Sequence, residues 1–281
     1  MTFLGLPENP EKAKIVFLPA PYDATTSFLP GARFGPRRIL EASPYLEFYD
    51  EETDCEVYQK APFLTLPEED LPLAPEQMLE ELKRRLEPHL EKNLFPIVLG
   101  GEHTVSLAPI ELLARKYPNL CVVQIDAHAD LRDFYQGSRY SHACTMRRAL
   151  ELSVELFPVG IRAISREEMD FVREKGLEIF WAKEVVANPY SMVQKISHTI
   201  GLRPVYVTID LDGFDPSEVP GVGTPEPGGL KWYDGLLILR ELAKLNVVGF
   251  DVVELLPIDN RSAFFAAKLI YKFLSYLYSK A

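Results

Sequence analysis

Several short stretches of this chain place acids and histidines at spacings that suggest chemistry. In Gln124-Ile125-Asp126-Ala127-His128-Ala129-Asp130 the three ionisable side chains share one face if the backbone is extended, because successive side chains alternate. Asp210-Leu211-Asp212 repeats the acidic alternation after another apolar run, His103 follows Gly100-Gly101-Glu102, and Glu254 ends a third run. Two unit charges about 4 Å apart repel by roughly 4 kcal/mol at an effective dielectric near 20. Asp126, Asp130, Asp210 and Asp212 gathered in one crevice therefore need cations among them, and two divalent ions would balance them. Carboxylate oxygen with imidazole nitrogen from His103 and His128, and no thiolate, suits Mn²⁺ or a similar first-row ion better than structural zinc. A metal pair sharing one water lowers its pKa and presents hydroxide to an electrophilic carbon, so the expected chemistry is hydrolysis.

The elements that must position these groups are legible as short apolar runs alternating with helical patterns. Strands are predicted at 14–19, 95–100, 120–126, 156–161, 177–182, 204–211 and 246–255. Helices are predicted at 75–92, opened by Pro75 and striped by Met78, Leu82 and Leu86, and at about 262–279, where Phe265, Leu269, Phe273 and Leu277 recur. This alternation reads as a parallel sheet covered by helices on both faces. Ligands of such sheets gather at the carboxyl ends of the strands, where His103, Asp126, Asp210 and Glu254 stand. Nothing resembling a linker or repeat interrupts the pattern, so residues 1–281 read as one domain, with Pro-rich 61–75 as a surface excursion.

Composition narrows the partners. The chain has 281 residues, is 47% hydrophobic and 25% charged, and carries a formal charge of -11, which argues against a nucleic-acid partner and favours small cations. No apolar run approaches a membrane span, and the N-terminus lacks a signal-peptide pattern, so a cytoplasmic protein without membrane partners is expected. Cys55, Cys121 and Cys144 form no metal-type spacing and fit a reducing compartment.

Together GGEHT (100–104), DAHADLRD (126–133), YSHA (140–143), TIDLDGFDP (208–216) and VVGFDVVE (247–254) resemble the ureohydrolase family of arginases and agmatinases, as does PYDATTSFLPGARFGPRRI (21–39). The resemblance implies a three-layer α/β/α fold around a mostly parallel eight-stranded sheet, two Mn²⁺ per chain, and a trimer or hexamer. It makes His103 and Asp130 ligands of one metal, His128 and Asp212 ligands of the other, and Asp126 and Asp210 bridges. It makes His142 a proton-moving group and Glu254 the partner of a guanidinium. The implied reaction splits a small cationic guanidino compound into urea and an amine, with agmatine or N1-aminopropylagmatine, in polyamine synthesis, as the leading substrates. Arginase, guanidinobutyrase and formimidoylglutamase activities remain alternatives, as does a mononuclear zinc deacetylase-like amidohydrolase.

Other residues carry plainer readings. Taken singly, His103 could simply begin a helix, and Glu102 and Asp133 read as solvated caps. Asp215, before Pro216, is expected to hold a turn, and His89 and His198 lie on helical stretches away from strand ends. Gly221, Gly223, Gly228 and Gly229 form no phosphate loop. Cys144 beside His142 leaves a thiol nucleophile open, and Arg132 and Arg139, in the loop 131–141, offer contacts to a substrate carboxylate. After Glu254 the chain reads Leu255-Leu256-Pro257, where many relatives have Val-Asn-Pro, so the rim there is expected to differ.

Overall fold

Eight strands form one sheet in the computed structural model, which describes residues 1–279. They are β1 (Ile15–Ala20), β2 (Phe63–Thr65), β3 (Phe95–Gly100), β4 (Cys121–Ile125), β5 (Glu155–Ile161), β6 (Phe180–Trp181), β7 (Pro204–Asp210) and β8 (Asn246–Val253), in spatial order β2-β1-β3-β8-β7-β4-β5-β6. All pairings are parallel.

Alternation along each strand builds the three layers. Phe17, Ile97, Val123, Val207 and Val252 face a core completed by helices 35–42, 189–200, 232–242 and 260–278. Their neighbours Val16, Val98, Val122, Tyr206 and Val253 face a second core under helices 75–91, 107–116, 145–150 and 166–175. Both faces are thus dry, which is why the strands read as continuous apolar runs. The expected α/β/α sandwich is the observed fold.

Differences from the predicted elements are local. Strand β2 was not predicted: it lies in the Pro-rich 61–75 stretch, spans three residues between Pro62 and Pro67, and survives as an edge because it pairs with β1. The run at 177–182 yields only Phe180–Trp181, at the opposite edge, where pairing with β5 shifts register between Val159 and Ile161. The final helix starts at Asn260, because the Asp259 carboxylate accepts the Ser262 amide and caps it.

The topology locates a crevice. From β3 the chain crosses to β4, builds outward through β5 and β6, then returns to fill the gap with β7 and β8. Strands β3, β8, β7 and β4 are consecutive neighbours, and Leu99, Val252, Ile209 and Ile125 lie in one register row. The next residues upward include Asp210 and Asp126, on strands about 4.8 Å apart. This is the reversal of winding direction at which open α/β sheets bind ligands.

Candidate metal centre and substrate cavity

Four adjacent strand ends deliver the acidic and imidazole groups to one buried cluster. The His103 Nδ1 atom lies 3.0 Å from Asp130, 3.1 Å from Asp126 and 3.5 Å from Asp210, and the His128 Nδ1 atom lies 2.9 Å from Asp212. His103, Asp126 and Asp210 form one group of potential ligand atoms, and Asp126, His128 and Asp212 a second, so Asp126 belongs to both. Asp210 belongs to the first alone, its other oxygen accepting the Asp212 amide at 2.8 Å.

Backbone and neighbouring side chains hold this cluster rigidly. The Ala127 amide donates to Asp212 at 3.0 Å, the His128 amide to Asp126, and the Gln124 side-chain amide to Asp126 at 2.8 Å. Asp130 and Glu254 sit at φ 52 and φ 65, the left-handed region, which costs a non-glycine residue roughly 1 kcal/mol or more. Hydrogen bonds sustain that strain: the Arg147 amide donates to the Asp130 carbonyl at 3.1 Å, and the Glu254 amide to that of Gly101 at 2.7 Å. His103 does open a short helical turn, His103–Ser106, and its amide donates to the Glu254 carboxylate at 2.8 Å.

Behind the imidazole runs a buried relay that the sequence reading missed. His103 Nε2 lies 2.8 Å from Thr208 Oγ1, Thr208 donates to Asp251 at 2.6 Å, and Tyr206 donates to the other Asp251 oxygen at 2.7 Å. Because the threonine proton goes to Asp251, Nε2–H must be the donor to threonine, so that when the ring is neutral the Nδ1 lone pair faces the carboxylates. Nδ1 is buried and has no partner in hydrogen-bond geometry, although carboxylate oxygens crowd it. An imidazole lone pair aimed among oxygen atoms is a poor hydrogen-bond arrangement and a good metal-ligand set. The overlooked signal was Asp251, an acid in the middle of an apolar strand.

Charge imbalance points the same way. Burial, then the charges of Asp212 and Asp126, pushes the Asp210 carboxyl well above the carboxylate range. Burial and Asp126 push Asp130 up to about 7. Burial opposes charge on Asp126, yet His103 and His128 hold it well below its usual value. Burial likewise opposes protonation of both histidines, but the surrounding aspartates hold His103 well above its ordinary range and raise His128 to about 12. Without metal the cluster keeps its acids only by retaining protons; divalent cations at the shared ligands would displace them, so the donor set fits two ions.

A cavity of about 320 Å³ opens onto the cluster, lined among others by Ser27, His128, Arg132, His142, Thr224 and Glu226. The His142 amide donates to Thr25 Oγ1 at 2.9 Å and its Nε2 lies 3.1 Å from Ser27 Oγ. Burial, followed by His128 and His103, lowers its pKa to about 4, so the ring is neutral at pH 7. Glu102 is fully buried and accepts from the Thr25 amide and from the Thr25 and Thr104 hydroxyls, which corrects its reading as a solvated cap; burial raises it to about 7. Asp133 is exposed and pairs with Arg148 at 2.5 Å. Asp215 holds its turn as expected, accepting from Ser217, Gly228 and Gly229. Arg139 pairs with Glu151 at 2.9 Å, whereas Arg132 lines the cavity with its guanidinium 4.7 Å from the Tyr135 ring centre. His89 is half-buried on its helix and His198 exposed, both outside the cluster.

Comparison with known proteins agrees with this arrangement. The family model described as "Arginase family" matches residues 13–275. An N(1)-aminopropylagmatine ureohydrolase of Synechocystis sp. is 43% identical over 94% of this chain and 89% of its own length. An agmatinase of Bacillus subtilis is 36% identical over 94% of this chain and 92% of its own. Among solved structures, the proclavaminate amidino hydrolase of Streptomyces clavuligerus superposes with a TM-score of 0.88 at 29% identity, covering 100% of this chain and 97% of that one. Among the described residues no helix is long and apolar enough to cross a membrane. Motif order, sheet topology and near-complete coverage by these relatives lead to one assignment: this chain is a hydrolase of the arginase family.

Proposed function

We propose that this chain hydrolyses a cationic guanidino compound, N1-aminopropylagmatine or agmatine, to urea and an amine, in polyamine synthesis. The observation that carries the reading is the pair of ligand groups sharing Asp126, with Glu254 hydrogen-bonded to the His103 amide beside them. The names of the 43% and 36% identical relatives support the substrate class. The reading extends to two Mn²⁺ per chain, held by His103, Asp126, Asp130, Asp210, His128 and Asp212, to residues 1–281 as one domain, and to a cytoplasmic trimer or hexamer.

Ions held there would supply positive charge and lower the pKa of a water, so that hydroxide would be available at neutral pH. The chain's own groups do the rest. His103 presents Nδ1 because Thr208 fixes its tautomer. The Glu254 carboxylate pairs with the planar guanidinium and orients its carbon. A C–O bond forms to that carbon, its C–N bond to the alkyl chain breaks, and the departing nitrogen needs a proton. His142 would move that proton, a role supported by its contact with Ser27 at the cavity wall.

A urea-release screen of Mn²⁺-loaded protein against N1-aminopropylagmatine, agmatine, arginine, 4-guanidinobutyrate and formimidoylglutamate tests the proposal. The highest kcat/KM is expected on one of the first two. Urea from none of them, with metal content verified, would sink it.

A further inference from the structure

The substrate cavity contains a carboxylate with no assigned task. Glu226 lines it, half-buried; among the described residues its side chain has neither a hydrogen bond nor an ion pair within contact distance, and the nearest cation it acts on is the Arg162 guanidinium that holds its backbone carbonyl. Pro225 and Pro227 flank it and limit its backbone freedom, so its position is set at low entropic cost.

The backbone of Glu226 is tied to the metal centre. Arg162 donates to the Asp212 carbonyl at 2.6 Å, to the Glu226 carbonyl at 2.8 Å and to the Gly160 carbonyl at 3.1 Å. Gly229 has to be glycine for this clamp, because a β-carbon there would lie 2.6 Å from the Arg162 guanidinium. The same segment starts beside the proposed guanidinium partner: a β-carbon at Gly223 would lie 3.8 Å from Glu254 Oε2, and Thr224 donates to Asp212 at 3.3 Å. From Thr224 to Glu226 the chain can reach at most about 7 Å. That reach is comparable to a four-carbon tether in extended form.

We propose that Glu226 is a specificity-determining residue whose carboxylate receives a second cationic group of the substrate, an ammonium separated from the guanidinium by an alkyl tether. The inference rests on the guanidino-hydrolase reading and deepens it by naming the substrate class: guanidino-alkylamines rather than guanidino acids. Arg132 gives the cavity a rival charge, suited to a carboxylate. The segment 223–226, which starts beside Glu254, favours the acidic end, because a substrate anchored by its guanidinium at Glu254 lies along it.

The test measures kcat/KM of the Mn²⁺-loaded protein for agmatine, for 1-butylguanidine, which lacks the ammonium, and for 4-guanidinobutyrate. A charge-assisted contact predicts that wild type prefers agmatine over butylguanidine by roughly 10- to 100-fold, the difference lying mainly in KM. In Glu226→Gln that ratio should fall towards one, and Glu226→Lys should shift preference from agmatine towards 4-guanidinobutyrate. Both variants keep the carbonyl that Arg162 holds, and circular dichroism checks their folding. A ratio unchanged in Glu226→Gln, or a wild-type preference for 4-guanidinobutyrate, overturns the inference. Absence of urea from all three substrates with wild type overturns the hydrolase reading instead.

Discussion

Two acidic clusters in this protein meet opposite fates, one of them wholly buried and the other only at Asp50. At Lys272 the ammonium lies 2.9 Å from Asp50, 2.9 Å from Glu52 and 3.2 Å from Glu51, with its side chain 1% exposed. Asp50 also accepts from the Glu52 and Thr53 amides and the Thr53 hydroxyl. Tyr276 donates to Glu52 at 3.0 Å. Every acid there has a partner from the chain itself, and the cluster joins the 50–55 turn to the last helix. Around His103 the acids outnumber the imidazoles, and one ring nitrogen is left without a hydrogen bond. The difference teaches that acidity alone does not mark a site. What marks it is several fully buried carboxylates with no ammonium or guanidinium among them, combined with imidazole nitrogens aimed at a common point.

Removing one charge from each cluster should break the comparison most visibly. Asp210→Asn is expected to lose metal and to cut urea release by roughly a thousandfold or more. In the metal-free state the same variant should be at least as stable as wild type, because burial and like charges already push the Asp210 carboxyl towards neutrality. Two bound ions per chain in the variant would contradict its place in the centre. Lys272→Met should do the reverse. Leaving the buried Asp50 carboxylate without its counter-charge should cost about 3–5 kcal/mol in denaturant unfolding, while the folded fraction keeps its metal and kcat. A stability loss near zero would remove the distinction drawn between the clusters.

The pH dependence of stability sharpens the same contrast at smaller amplitude. Asp130, raised to about 7, binds its proton more tightly folded than unfolded, so its contribution is present below the ordinary carboxylate range and fades as pH rises through 7. His103 and His128, both held above their ordinary value, act with the same sign from about pH 6.5 upward. His142, lowered to about 4, acts oppositely, but its contribution is complete by about pH 6.5. Metal-free protein should therefore show a Tm that falls between about pH 6.5 and 8. Added divalent ion should reverse that slope, because binding displaces the protons. Lys272→Met should keep it, since Lys272 is raised above its already high ordinary pKa and stays charged throughout. A flat metal-free profile would mean that the centre is not proton-loaded.

Much of this was legible in the sequence, for physical reasons that differ by residue. Asp126, His128 and Asp130 stood out because alternation in an extended segment places them together, and Asp210 and Asp212 because the pattern recurs. That β3, β8, β7 and β4 are neighbours was not legible, since strand order is a property of the crossovers rather than of any run. Glu102 was misread because a charged residue after two glycines ordinarily sits in solvent; its burial depends on Thr25, distant in sequence. Strand β2 was missed because three residues between prolines carry too little alternation. Arg162 and Glu226 were missed because their significance lies in backbone carbonyls and cavity walls, to which no residue pattern points.

Cys144 offers the smallest effect and separates nearness from participation. It is two residues from His142, but its thiol is fully buried, 3.9 Å from the Ser138 carbonyl, and its neighbour Ala143 lines the cavity in its place. Burial, and then the charge of Asp130, pushes the thiol up to about 12, so at pH 7 almost none of it is thiolate. A nucleophile needs the opposite surroundings, an electropositive and partly open pocket. Cys144→Ser should therefore keep kcat within roughly twofold and cost about 1 kcal/mol of stability or less, as a buried hydroxyl replaces a weakly bonded thiol. Native protein should resist iodoacetamide at this position and remain fully dependent on added divalent metal. Loss of urea release in a folded, metal-loaded Cys144→Ser protein would transfer the chemistry from the acidic cluster to the thiol, and activity surviving complete metal removal would do the same.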